Sequence, residues 1–351
     1  MPSAPLVLDP TSWPLAALLT AFLAAAVAIG VIGTRLTGVA EDLARRTGLG
    51  QAVFGAVFLG ASTSLPGITT SVVAAVHGHA HLAVSNAVGG IAAQTAFLAI
   101  ADMTYRKANL EHAAANIANL MQGALLVTMS ALPLLATAYP DVGWAGVHPV
   151  SPVLLLAYVF GIRMIGGAQT DPMWAPTRTP ETAPEERADD EPEPRPGLLG
   201  AWGRFGFMAL LVAGAGWLVA ETGLEATARF GLSESVVGTY VTAVVTSLPE
   251  LVIAVAAVRR GALTLAVGDI LGGNCFDLLF LSAADVAYRE GSVYAAIGGG
   301  EVFTMALNVL LTGILVLGLL RREKHGLGNI GFESVLVLGL YLGAGLLLAL
   351  G

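Results

Sequence analysis

Apolar residues run along this chain in stretches of about 20, each long enough at ~1.5 Å per residue to cross ~30 Å of hydrocarbon as a helix. The pattern predicts ten spans, at roughly 14–34, 50–76, 82–105, 113–138, 148–167, 200–221, 233–258, 264–287, 298–320 and 331–350. Short polar segments separate them, and several carry arginine. The fold class this implies is an all-α polytopic membrane protein.

Basic residues orient the spans, because cytoplasmic loops are enriched in Lys and Arg. With the N-terminus outside, the inner loops and helix ends hold fifteen of the seventeen, among them Arg45, Arg46, Arg106, Lys107, Arg259, Arg260, Arg321 and Arg322. Only Arg229 and Arg289 fall outside. The expected setting is a bacterial-type plasma membrane, crossed many times, with both termini outside. The Pro-containing start of the chain has no basic region, so no cleaved signal peptide is expected.

Composition agrees: 55% of residues are hydrophobic and 12% charged, and mean hydropathy is +0.75. Ordinary soluble domains carry about 25% charged residues. The net charge of −8 owes much to one acidic, Pro-rich segment and points to no nucleic-acid partner. That segment, 168–199, has too few apolar residues to offset its ordering entropy and reads as a disordered cytoplasmic linker. It divides the chain into a first five-helix half, 1–167, and a second, 200–351.

The halves are copies. Shifted by 183 residues, Thr63-Ser64-Leu65-Pro66 falls on Thr246-Ser247-Leu248-Pro249, Gly89-Gly90 on Gly272-Gly273, and Asp102 and Arg106 on Asp285 and Arg289. Between Thr63 and Arg106, 18 of 44 positions are identical without a gap. The repeated blocks lie within 60–106 and 243–289. Five spans per copy is an odd number, so the copies sit inverted across the membrane. Inverted repeats are an architecture of secondary transporters, with the site near the midplane where broken helices meet.

Pro66 and Pro249 lack an N–H and clash with the preceding turn, which predicts breaks in the second and seventh spans. Beside Pro249 stands Glu250, and further on Asp269 and Asp277. Carboxylates in a membrane span are costly and usually mark an ion or proton path. Hydroxyls from Thr63, Ser64, Thr246 and Ser247, with carbonyls freed by the breaks, add hard oxygen ligands suited to Ca²⁺ or Na⁺. The Gly-Gly pairs allow close helix approach.

The motifs TSLPE at 246–250 and GDILGGNCFD at 268–277 resemble the cation/Ca²⁺ exchanger superfamily, the sodium/calcium exchanger group in particular, where the second block typically reads G-N-x-x-G-S-N-x-F-N/D. The close resemblance covers about 90 residues in the two blocks, and the ten-span layout extends it loosely to the whole chain. It implies that Glu250 and Asp277 ligate transported ions, with Thr246, Ser247, Thr63 and Ser64 as further ligands. The first copy departs from the pattern. Gly67 stands where Glu250 does, Gln94 where Asp277 does, and Gly90 and Gly273 replace the family's serines. Asp269 replaces an Asn and partly compensates for the lost acid if it faces the cavity. The resemblance implies a cation antiporter moving Ca²⁺ against Na⁺ or H⁺ by alternating access. A monovalent cation/H⁺ antiporter and a member that has lost transport remain open readings.

Its partners are inorganic cations and the lipid bilayer; no cofactor is expected beyond the transported Ca²⁺, Na⁺ or H⁺. Asp102 with Arg106 and Asp285 with Arg289 read as ion pairs at helix ends. The sequence HGHAH at 77–81 reads as a plain external loop, and Glu301 as an acid snorkelling to the outer surface. Cys275, the one cysteine, reads as a small buried apolar residue. No Ser-His-Asp set, Walker loop or H-E-x-x-H appears, so an enzyme is not expected.

Overall fold

The computed structural model describes residues 10–47, 53–105, 108–170, 172–177, 179, 197–324, 326 and 330–350. Its long helices are α1 (Leu15–Thr47), α2 (Val53–Thr63), α3 (Leu65–Val76), α4 (Ala80–Asp102), then a short α5 (Leu110–Ala114), α6 (Ile117–Ala138) and α7 (Val150–Thr170). After the linker, whose middle lies outside the described residues, come α8 (Leu198–Phe230), α9 (Glu234–Thr246), α10 (Leu248–Arg259), α11 (Leu263–Ala287), α12 (Gly299–Arg321) and α13 (Phe332–Leu350). Eight of these are each long and apolar enough to cross a membrane; α2–α3 and α9–α10, taken as single bent spans, bring the number to ten. The chain is an all-α membrane protein of two inverted five-span repeats.

The breaks fall where the prolines predict. α2 and α3 meet at 71° and α9 and α10 at 50°. Each hinge is a serine in nearly the same conformation, Ser64 at φ −88°, ψ 6° and Ser247 at φ −97°, ψ 10°. Pro66 and Pro249 then sit in the first turn of the new helix, where a missing N–H costs nothing. The carbonyls of Ser64 and Ser247 accept from the amides of Ile68 and Leu251. What these hinges present to the interior is therefore their hydroxyls.

Two contacts locate the pseudo-twofold axis. Gln94 Nε2 lies 2.6 Å from Asp277 Oδ2, and Asn274 Nδ2 lies 3.5 Å from the carbonyl of Ile91. Both pairs are separated by the repeat shift of 183. Equivalent positions of two copies meet only on the axis that relates them, so α4 and α11 cross there.

Small residues let other helices close in around α4 and the hinges. A Cβ on Gly89 would stand 2.4 Å from the Thr239 Cα, and one on Gly216 would stand 2.6 Å from the Pro66 carbonyl oxygen. α4 is almost entirely buried at the centre of the bundle. By contrast, Leu15, Leu19, Leu23 and Val27 recur every fourth residue on α1 and are exposed, an apolar outer stripe suited to lipid. Both α1 and α9 contain a π-helical turn, at Ile29–Gly33 and Val237–Thr242. The first brings Gly33 against the Pro249 ring, and the second lays Thr239 on Gly89.

Helix ends differ from expectation. Asp285 forms no ion pair with Arg289; its carboxylate accepts from the His148 and Val293 amides and from the Ser151 and Ser292 hydroxyls. Asp102 likewise accepts from the Leu110 and Gly331 amides, and its expected partner Arg106 lies outside the described residues. Both acids tie down the loop that follows their helix. Buried backbone N–H groups need an acceptor, and a carboxylate supplies two oxygens. Glu301 does not snorkel. It is 1% exposed and accepts from Ser85, Ser235 and the Gly298 amide at the start of α12.

Candidate functional site

Where the two hinges face one another across the axis, a small cavity of about 10 Å³ remains. It is lined by Ser64 and Gly67 at the first hinge, Gly90 and Gln94 on α4, Thr246, Ser247 and Glu250 at the second hinge, and Asp277 and Phe280 on α11. A space of this size matches about one probe sphere, the minimum for a single water or a dehydrated ion.

Asp277 is held by donors from the first half. Ser64 Oγ donates to Oδ1 at 2.5 Å and Gln94 Nε2 to Oδ2 at 2.6 Å. Gln94 Nε2 also lies 3.3 Å from Ser247 Oγ. Two other oxygens facing this region have no hydrogen-bond partner among the described residues, Glu250 Oε2 and Gln94 Oε1. Glu250 is 8% exposed and Asp277 2%. Buried polar oxygens normally find a donor, and each exception calls for an explanation. Gly90 borders this space, and a Cβ there would stand 3.5 Å from Ser247 Oγ and 4.0 Å from Asp277 Oδ2.

Six of the eight residues expected at the site come together here: Glu250, Asp277, Thr246, Ser247, Ser64 and Gln94. Thr63 and Asp269 do not. The Thr63 hydroxyl is bonded back to the Leu59 and Gly60 carbonyls, and its side chain lines a second, larger cavity. Asp269 precedes Asp277 by two helical turns, roughly 12 Å along the axis, and lines the same larger cavity. It is therefore not part of the wall of the small one. Asn86, its counterpart in the repeat, lines the small cavity but is committed: its amide bonds the Gly67 carbonyl, Ser71 and Thr242.

The larger cavity measures about 950 Å³ and reaches Glu250. Its far end is lined by Glu41, Arg163 and Gln169, all exposed, so it is a vestibule leading to the carboxylates from the end of the bundle that carries Arg45, Arg46 and Arg163. The opposite end is closed. There the HGHAH loop lies against three acids of the second half, with His77 Nδ1 3.5 Å from Glu221, His79 Nδ1 2.7 Å from Glu234 and His81 Nδ1 3.2 Å from Glu301. Sequence reasoning treated this loop as plain, because its acidic partners come from three distant places in the chain.

Two inverted repeats with paired broken helices, an enclosed pair of carboxylates on the axis and a vestibule open on one side define a secondary transporter. The model of the sodium/calcium exchanger protein family matches residues 17–164 and 199–349, and the chain belongs to that family. It is 27% identical over 296 residues to CaxA of Alkalimonas amylolytica, covering 81% of this chain and 85% of that one. It is also 26% identical over 280 residues to the inner membrane protein YrbG of Escherichia coli K12, covering 74% and 76%. Among solved structures, the H⁺/Ca²⁺ exchanger CAX superposes with a TM-score of 0.68 at 13% identity, covering 95% of this chain and 85% of that one. The sodium-calcium exchanger NCX_Mj does so with 0.58 at 20%, covering 93% and 97%. The chain is thus a member of an antiporter family rather than an enzyme.

Proposed function

We propose that the protein is a secondary active antiporter that binds Ca²⁺ at the small axial cavity and exchanges it for Na⁺ or H⁺ by alternating access. The observation that carries this reading is the pairing of Glu250, with an unpartnered oxygen, and Asp277 around a cavity of single-ion size. Ca²⁺ takes 6–8 oxygen ligands. Two carboxylates, the free Gln94 Oε1 and the hydroxyls of Ser64, Thr246 and Ser247 supply a set of that kind. The Ser64 and Gln94 donors that satisfy Asp277 without an ion are neutral, so a cation would displace them without meeting another positive charge.

The open vestibule lies at the arginine-rich end, which the distribution of basic residues makes cytoplasmic, with both termini outside. Proteoliposomes loaded with Na⁺, or held at an acidic internal pH, test the reading by uptake of ⁴⁵Ca²⁺. Uptake driven by either gradient and lost in Glu250→Gln supports it. Absence of uptake under both gradients from folded protein rules it out, and K⁺ or Na⁺ flux against H⁺ in its place would favour monovalent exchange.

A further inference from the structure

The two repeats differ at the position beside each hinge proline, with Glu250 in one and Gly67 in the other. Packing shows what fills the space. A Cβ on Gly67 would stand 2.8 Å from Phe280 Cε2, closer than a methyl group tolerates, and 3.4 Å from its Cζ. Phe280 is 3% exposed and forms part of the wall of the axial cavity. One turn earlier Phe276 sits the same way on Gly60, 2.9 Å from the position of its Cβ. The two rings contact each other edge to face at 6.3 Å, and Tyr158 packs on Phe276 at 5.7 Å. This is a braced aromatic column, one end of which borders the ion cavity.

The other half has no such plug. Phe97, the repeat equivalent of Phe280, packs instead with Leu307, Leu311 and Val337 in the outer core and does not line the cavity. On that side Glu250 itself lines the cavity.

We infer that Phe280, seated on Gly67, is a specificity-determining residue: it occupies the volume in which an acid from the first repeat would stand, and so restricts the cavity to the charge of Glu250 and Asp277. This inference rests on the cation-site reading above. Its physical consequence is selectivity. A carboxylate added near a bound ion attracts a divalent cation twice as strongly as a monovalent one at the same distance. By excluding that carboxylate, Phe280 holds down the preference for Ca²⁺ over Na⁺ and lets a monovalent ion or protons compete.

The test is Ca²⁺ binding to purified full-length protein in detergent, titrated alone and against Na⁺, for wild type, Glu250→Gln, Phe280→Ala, Gly67→Glu and Gly67→Glu/Phe280→Ala. Gly67→Glu alone is expected to gain nothing, because the ring blocks the introduced side chain. The double variant is expected to raise the Ca²⁺-over-Na⁺ affinity ratio by about tenfold or more relative to Phe280→Ala, as one added charge at an effective dielectric constant near 20 implies. A folded, monodisperse double variant whose ratio equals that of Phe280→Ala overturns the inference. If the double variant does not fold, Gly67→Asp/Phe280→Leu, with a shorter acid and a retained apolar side chain, is judged by the same ratio. Wild-type protein that binds no Ca²⁺, or binds it as Glu250→Gln does, overturns the cation-site reading itself; wild-type binding that Glu250→Gln loses, with an unchanged ratio in the double variant, overturns the Phe280 assignment alone.

Discussion

Gln94 and Asp277 hold the same place in the two repeats, and their side chains meet at 2.6 Å on the axis between them. One member of the pair carries the charge and the other supplies a neutral donor and a free acceptor. Two identical acids at this distance would repel and share a proton, as paired carboxylates do. The exchange of Asp for Gln removes that conflict and leaves Gln94 Oε1 available to an ion.

Gln94→Ala therefore loses two things at once. The ion-free protein loses a charge-assisted hydrogen bond worth about 1.5–3 kcal/mol, and its thermal midpoint should fall. Ca²⁺ affinity should drop as well, by about tenfold or more for one lost ligand oxygen. Thermal denaturation with and without Ca²⁺, alongside direct binding, checks both.

Glu250→Asp keeps the charge but withdraws it by one methylene, about 1.5 Å. It should retain measurable ⁴⁵Ca²⁺ uptake at a raised KM, whereas Glu250→Gln should show none. Equal uptake by the two variants would show that charge at this position is not what the site uses.

Gly89 allows α4 and α9 to touch at backbone distance. Gly89→Val forces them apart, and overpacking of this kind costs about 1–3 kcal/mol or more. The expected outcome is a lower thermal midpoint and loss of monodisperse protein on size exclusion. The neighbouring Gly90→Ala, which meets no atom closer than 3.5 Å, should fold and instead affect ion binding.

The three histidines of the HGHAH loop pin the first half to the second at the closed end. Replacing His77, His79 and His81 by alanine removes all three contacts with Glu221, Glu234 and Glu301. Deuterium uptake should rise in 76–82 and in the start of α12, while the vestibule end stays as protected as in the wild type. Unchanged exchange at the closed end would mean that apolar packing alone seals it.

Outside the spans, Glu111 on α5 is buried beside Asp102 and Glu333, and burial together with those charges pushes it up to about 8 from an ordinary 4.5. The folded protein then holds a proton that the unfolded chain has released between those values. Stability from this group is full below pH 4.5 and is lost as pH rises through 8. The thermal midpoint of the wild type should fall over that interval more steeply than that of Glu111→Gln.

Much of this was legible in the sequence for identifiable reasons. Spans follow from apolar runs, the breaks at Ser64 and Ser247 follow from Pro66 and Pro249, and the inverted arrangement follows from a repeat with an odd number of spans. Glu250, Ser64 and Ser247 were legible because the repeat places them at or beside matched hinges, and Asp277, on α11, because an exchanger-like motif ends in it. Where Asp269 faces was left open because neither spacing nor periodicity reveals which end of a buried helix lies at the axis. Phe280 escaped notice because an aromatic residue in an apolar run carries no chemical signal until its neighbour Gly67 is seen beneath it. The roles of Glu301 and the HGHAH histidines were hidden for a similar reason: the histidines meet acids about 140 to 220 residues away, and Glu301 accepts from Ser235 and Ser85, 66 and 216 residues back.

The axis through residues 94 and 277 has an energetic corollary for a carrier of this build. Were the halves identical, turning the molecule over would reproduce it, and the conformers open to either face would be equally populated at zero gradient. Each mismatch across the axis, Gly67 opposite Glu250 and Gln94 opposite Asp277, lifts that degeneracy. With every carboxylate of the axial cavity borne by one half, the empty carrier should rest unevenly between its two faces, a built-in rectification present before any gradient is applied.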